Sequence, residues 1–558
     1  MTPRNEMSGA VRSHTGSSRR DFLGRLGLAP GLTSLAGAGL LGALQVNTAL
    51  ADLTPVNEAE RRRRAFALRR DAALYQKDLP ETPSFSNGDE ELYPNRIASF
   101  SKGLPHNNQG EVDLNAYRAL IQALNSARWS DFEAIPMATA GKLSNPQSAY
   151  CYSMEGADAA SLAIPAAPAF SSAQMASEIG EDYWYALTRD VPFSQYGTDP
   201  TIAQAAADLS NFSDFRGPKV NGHVTPDVIF RGSTPGDLTG PYLSQFLLKP
   251  VPFGATSVTQ LYRTTVAGDD YLTKYPDWLN IQKGASAVSN MFESTPRYIR
   301  NNRDLSMYLF VDFSGQANVL AALQLGSFGS AALSANNPYL HSATQVGNVT
   351  FGPAMFLDLT VRAANQALRA NFFQKWMVHR RIRPEAFAAR IHNHVTGAAS
   401  YPIHSDILNS AALKAVFSAH GTYLLPMAYP VGSPLHPSYP AAHATTAGAG
   451  ITMLKALFNE SFVIPNPVVA SDDGMSLLPY TGPALTVGNE LNKLASNIAL
   501  GRDAAGVHYR SDGVQGILLG EAIALSILRE TATLYNEVFP GFTLTRFDGR
   551  TETICPHC

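Results

Sequence analysis

Six segments in the second half of the chain, 304–325, 354–379, 405–419, 439–459, 485–500 and 511–535, each carry a long apolar face at helical spacing. Several are nearly apolar all round, and a helix of that kind has to be enclosed by other helices. No run of alternating short strands competes with them, so the expected fold is all-α, a helical bundle. The first half reads differently. Residues 57–76 form a charged helix bearing Arg61–Arg64, a solvated or subunit-facing surface. A second helix, 113–127, is amphipathic through Leu114, Tyr117, Leu120, Ile121 and Leu124. From 128 to 300 Pro, Gly, Ser and aromatic residues dominate, which suggests long loops and short helices wrapping a core.

The N-terminus has the pattern of an export signal. Ser18-Arg19-Arg20-Asp21-Phe22-Leu23 precedes a weakly apolar stretch, Leu26 to Leu44, and then Ala49-Leu50-Ala51. Paired arginines, a modest apolar region and a small-x-small site describe a twin-arginine signal peptide, with cleavage after Ala51. A membrane anchor is the competing reading, since the stretch has about the length of a span. Gly27, Gly31, Gly37, Gly39 and Gly42 lower its hydrophobicity and favour the signal. The GxGxxG pattern at Gly37–Gly42 lacks a preceding strand and would leave with the signal. The expected location is periplasmic or extracellular. No later segment offers an uninterrupted apolar run of membrane-spanning length.

Charge and cysteine content exclude several classes. The chain has 43 Lys+Arg against 46 Asp+Glu. Loss of residues 1–51 removes five Arg against Glu6 and Asp21, leaving 38 basic and 44 acidic side chains. A general nucleic-acid binder needs the opposite balance. Three cysteines make no disulfide scaffold. Cys555-Pro556-His557-Cys558 suggests a terminal disulfide or an intersubunit link, and Cys151 a buried free thiol.

Three segments carry the chemistry. In Lys375-Trp376-Met377-Val378-His379-Arg380-Arg381-Ile382-Arg383-Pro384, Pro384 ends or redirects a helix. Arg383 lies about two turns beyond Lys375, so the two approach one ligand from one face while Arg380 and Arg381 point away, solvated or ion-paired. His379 is expected to be structural. In His436-Pro437-Ser438-Tyr439-Pro440-Ala441-Ala442-His443 the prolines mark a helix start near Pro440. First-turn amides there, with the helix dipole, form an anion site from backbone alone, and His443 stands in that turn as an acid/base group. In Gly501-Arg502-Asp503-Ala504-Ala505-Gly506-Val507-His508, Arg502 offers a planar fork of donors for a tetrahedral oxyanion and His508 a ligating nitrogen. Ser511 and Asp512 then start the next helix.

The order Lys, Arg-Pro, Pro-x-x-His, Arg and His resembles the signature of the vanadium-dependent haloperoxidases and the related type-2 phosphatidic-acid-phosphatase superfamily, over about Lys375–His508. The eight-residue step from Lys375 to Arg383, and His436 seven residues before His443, resemble the bromoperoxidase branch. The resemblance implies a bundle of the haloperoxidase and acid-phosphatase type holding vanadate. His508 would bond vanadium, Lys375, Arg383, Arg502 and the Ala442 amide would hold its oxygens, and His443 would be the acid/base histidine. His436 would tune the halide side and Lys375 would polarise peroxide. The implied activity is oxidation of halide, bromide first, by hydrogen peroxide to hypohalous acid that halogenates organic acceptors, in a homo-oligomer.

Four regions follow: a signal at 1–51, a helical and loop-rich region at 52–300 packing on the core, a catalytic bundle at 301–540 and a tail at 541–558. The sequence departs from the signature at Ala441-Ala442, where Ser-Gly is usual. Loss of that hydroxyl removes a hydrogen bond to the anion worth about 1.5–3 kcal/mol. Two alternatives stand beside the peroxidase. One is an exported acid phosphatase in which His508 accepts the phosphoryl group. The other is a non-catalytic anion-binding protein of the same fold.

Overall fold

A computed structural model describes residues 57–555. The signal, its cleavage site and Pro556–Cys558 lie outside them. Among the described residues, 71–555 belong to one compact unit and 57–70 to another. The helices of ten or more residues are α1 (Glu58–Asp78), α2 (Leu114–Ser126), α3 (Ala173–Thr188), α4 (Pro200–Asn211), α5 (Asn302–Val311) and α6 (Gln316–Ser327). After these come α7 (Pro353–Phe373), α8 (Pro384–Val395), α9 (Ala411–His420), α10 (Ala442–Leu457), α11 (Val487–Ala504) and α12 (Arg510–Ala532). Three two-stranded antiparallel ribbons complete the described structure, so the fold is all-α in character.

The centre of the bundle is α10, which packs along α12, α7 and α11. Nearly every residue of α10 is buried, as its apolar, small-residue sequence requires. Its contact with α12 is backbone to backbone. A Cβ on Gly448 would stand 2.2 Å from the Ile517 carbonyl oxygen, and one on Gly520 2.2 Å from that of Thr445. This close crossing brings the N-terminal ends of α10 and α12 together, and the candidate site is built on those two ends.

Several expectations are corrected. The segment 304–325 is two helices, interrupted between Val311 and Gln316, and 405–419 divides at Ser410, whose hydroxyl caps α9. The helix through Lys375 ends at His379, and Pro384 opens α8. Proline suits a first helical turn, where its missing N–H is no loss. The first half does more than wrap. Helix α3 is almost wholly buried and carries Glu178 and Glu181 into the interior, where they pair with Arg381 and Arg510. By contrast α1 buries no residue, and Arg61–Arg64 are exposed.

Cys151 is an exposed free thiol, not a buried one: it follows a 3₁₀ turn whose apolar contact is made by Ala149 instead. Cys555 is disulfide-bonded. One described helix, α12, is long and apolar enough to cross a membrane, against the sequence expectation, but most of it is buried by the other helices.

Candidate oxyanion and active site

Lys375 does not share a helical face with Arg383. Residues Gln374–His379 form a π turn, in which the Arg380 amide donates to the Lys375 carbonyl five residues back (3.1 Å). Such turns cluster at functional sites. Arg380 then takes a left-handed conformation (φ 35°), and the chain runs extended to Arg383, the residue before α8. Lys375 and Arg383 therefore reach the site by separate routes. Arg380 pairs with Glu90. Arg381 is buried, stacks on Tyr509 and binds Asp512 (2.7 Å) and Glu178 (3.0 Å), so it points into the site's supporting layer. His379 is buried edge-on to Tyr439 in a structural position.

The Lys375 ammonium donates to the carbonyls of Pro437 and Ser438, both at 2.7 Å, leaving its third donor. Arg383 donates to the carbonyls of His436 (2.9 Å) and Val507 (2.6 Å). Its remaining contacts are to imidazole nitrogens: His436 Nδ1 at 2.9 Å and His508 Nε2 at 3.1 Å. Arg502 donates through Nη1 to the Leu309 carbonyl (2.8 Å), while its Nε is buried with no partner among the described residues. His436 is buried against Phe372, ring centroids 5.4 Å apart.

His508 is tuned by Asp512, four residues on at the start of α12. Its Nδ1 lies 2.9 Å from the carboxylate, which also accepts from Arg381, from the Ser438 hydroxyl and from the Tyr509 amide. Burial acts to raise Asp512, but Arg381 and His508 beside it overcome that and hold it well below the usual carboxylate range. An ionised Asp512 places the His508 proton on Nδ1 and leaves the lone pair on Nε2. Burial first, then Arg383, pulls His508 well below its ordinary value, so the ring is neutral and able to ligate.

His443 stands in the first turn of α10 and its Nε2 is 3.0 Å from Asp312 Oδ1. Its side chain is 28% exposed, whereas Lys375, Arg383 and His508 are buried, so it is the member of the set that faces solvent. Ala441 is the N-cap of α10 and offers no side-chain acceptor, so the amides after it, Ala442's first, gain no cap from that residue.

These groups fit a tetrahedral oxyanion. Lys375 and Arg383 are pulled below their ordinary values by burial, and neighbouring cations add to it: Arg383 and Arg502 on Lys375, Arg502 on Arg383. Buried cations set against one another cost several kcal/mol each unless an anion joins them. The unpartnered Arg502 Nε, the spare Lys375 donor and the lone pair of His508 Nε2, which faces Arg383 Nη1 at 3.1 Å, would supply donors and one ligand to such an anion. The six sequence-predicted side chains are thus gathered within this one region. Three partners of these side chains were not singled out by the sequence: Asp512 behind His508, Asp312 behind His443 and Tyr429 beside Arg502. Asp512 had a signal, as the i+4 neighbour of His508 at a helix start. Asp312 and Tyr429 had none, one falling inside an apparent helix and the other in a loop.

The fold and the site together define a helical bundle organised around a buried neutral histidine ringed by three buried cations. A family model described as the VCPO second helical-bundle domain matches residues 361–537. A vanadium-dependent bromoperoxidase of Ascophyllum nodosum is 36% identical, covering 90% of this chain and 96% of its own. That of Corallina pilulifera is 32% identical, covering 89% and 98%. The second vanadate-dependent bromoperoxidase of Ascophyllum nodosum, a homohexamer, superposes with a TM-score of 0.87 at 29% identity over 96% of both chains. The chain belongs to the vanadium-dependent bromoperoxidases. It is a peroxide-dependent halide oxidoreductase, and neither the phosphatase nor the non-catalytic alternative is favoured.

Proposed function

We propose that this enzyme holds vanadate at His508 Nε2 and oxidises bromide with hydrogen peroxide to hypobromous acid, which brominates small organic acceptors. The observation that carries the reading is the set of three buried cations, Lys375, Arg383 and Arg502, around an imidazole whose lone pair is directed by Asp512. Lys375, Arg383, Arg502 and the Ala442 amide hold the anion's oxygens. When bound, vanadate supplies a Lewis-acid centre that accepts peroxide and makes one peroxide oxygen electrophilic, with no change in its own oxidation state.

The residues manage protons and charge. His443, fixed by Asp312 and open to solvent, would act as the acid/base group, accepting a proton from peroxide and returning one to the departing oxygen. Lys375, through its third donor, would hydrogen-bond peroxide and draw electron density from it. Bromide would approach on the His436 side, and the balance is one peroxide, one bromide and one proton to one hypobromous acid and one water. The terminal sequence supports export by the twin-arginine route to a periplasmic or extracellular location, with no membrane span kept after cleavage. The homohexameric relative supports a homo-oligomer.

Purified protein incubated with orthovanadate is expected to brominate an activated dione with peroxide and bromide, and phosphate to suppress this by competition. His508→Ala is expected to abolish both activity and stoichiometric vanadium in metal analysis. Phosphomonoester turnover with no bromide-dependent product at any vanadate concentration would overturn the reading.

A further inference from the structure

Arg502 has an anchor that belongs to none of the three signature segments. Tyr429, almost wholly buried in the loop before α10, donates its hydroxyl hydrogen to the Ser306 carbonyl and accepts from Arg502 Nη1 at 3.3 Å. Its ring also lies beneath the guanidinium, 5.5 Å from Cζ to the centroid, and stacks on Phe310 at 4.4 Å. Ser306, Leu309 and Phe310 all belong to α5, so the phenol ties Arg502 to the last turns of one helix. Leu309 and Tyr429 together take up Nη1 and leave the edge formed by Nε and Nη2. Of that edge, Nε is buried and without a partner among the described residues.

We propose that Tyr429 is a positioning residue for the oxyanion. By holding Nη1 it fixes the rotation of the Arg502 guanidinium so that the Nε edge is presented to the bound anion. A planar fork gives its full value only when its orientation is set beforehand. With the hydroxyl gone, Nη1 keeps only the Leu309 carbonyl, and a single bond does not stop the plane from turning. This rests on the reading of Arg502 as an oxyanion ligand.

Tyr429→Phe keeps the ring, its stack on Phe310 and its face toward Arg502, and removes only the hydroxyl. The dissociation constant of orthovanadate, measured on the full-length protein by equilibrium dialysis with metal analysis, is expected to rise about five- to tenfold. The constant for inorganic phosphate should rise in parallel, with little change in the thermal midpoint of vanadate-free protein. Arg502→Lys, and the double variant, separate the causes. The Tyr429→Phe effect should largely disappear in the Arg502→Lys background, because a residue acting through Arg502 has nothing left to act on. Unchanged vanadate affinity in Tyr429→Phe, or full additivity in the double variant, would overturn the proposal. Unchanged affinity in Arg502→Lys itself would instead overturn the assignment of Arg502.

Discussion

Ala441 is fully buried at the N-cap of α10, with its own amide donating to the Asp512 carbonyl at 2.9 Å. A serine there would place a hydroxyl beside the free first-turn amides without moving the backbone, since its extended conformation (φ −72°, ψ 124°) suits a capping serine. Ala441→Ser is therefore expected to tighten vanadate binding about tenfold, from one added hydrogen bond to a charged acceptor. Titration with orthovanadate measures this, and weaker binding would mean that the hydroxyl turns to the helix amides instead of the anion. At this scale Lys375, Arg383, Arg502, His436, His443 and His508 were all legible, because residue type and spacing along the chain carry the signal. Of the carboxylates behind two of them, Asp512 left a signal four residues after His508 and Asp312 left none. Asp312 orients His443 from 131 residues away, a relation that no spacing rule contains.

The elements differ from their sequence outlines where the site needs them to. Apolar periodicity runs through 304–325 without a break, yet the helix stops at Val311 and resumes at Gln316. That interruption frees Asp312 to meet His443, and it leaves the Leu309 carbonyl free for Arg502. The apolar pattern of 354–379 likewise hides the π turn that places Lys375. Helix existence was readable because burial of one face imposes its period on the sequence. Helix ends were not, since they depend on what lies across the gap. Packing between elements is stricter. A Cβ on Gly520 would stand 2.2 Å from one backbone atom of α10 and 2.6 Å from another, so neither can swing aside. Gly520→Ala should push α12 off α10 and destabilise the protein by about 2 kcal/mol or more, as a lowered unfolding midpoint in denaturant. An unchanged midpoint would show that the two helices have room to separate.

In the molecule as a whole a stored electrostatic cost lies in two buried carboxylates next to the site's supporting layer. Asp182 on α3 and Asp503 on α11 are completely buried, and several of their carboxylate oxygens have no hydrogen-bond donor among the described residues. Both are pushed well above the carboxylate range, by burial first and then by neighbouring carboxylates, Asp503 on Asp182 and Glu181 on Asp503. A folded-state value above the unfolded one favours the neutral form. Its stabilising contribution is complete below the ordinary value near 3.8 and is lost as pH rises through the raised one. Asp182→Asn removes one titrating group while keeping its shape. It should match the parent near pH 4 and exceed it by on the order of 1 kcal/mol or more at pH 8. Denaturation curves across that range test this, and a variant weaker than the parent at pH 8 would show that Asp182 is needed ionised.

By itself the sequence determined the class of fold, the six side chains that meet at the site and the family to which they point. Those properties follow from periodicity and from short-range order, which are local. Only the tertiary structure decided how the groups are aimed. The π turn that places Lys375, the break that releases Asp312, the Asp512 carboxylate that directs the lone pair of His508 and the Tyr429 hydroxyl on Arg502 each depend on contacts between distant segments. Burial makes those contacts count, because in a dry interior an unpaired charge or a misdirected donor is costly enough to select a single arrangement.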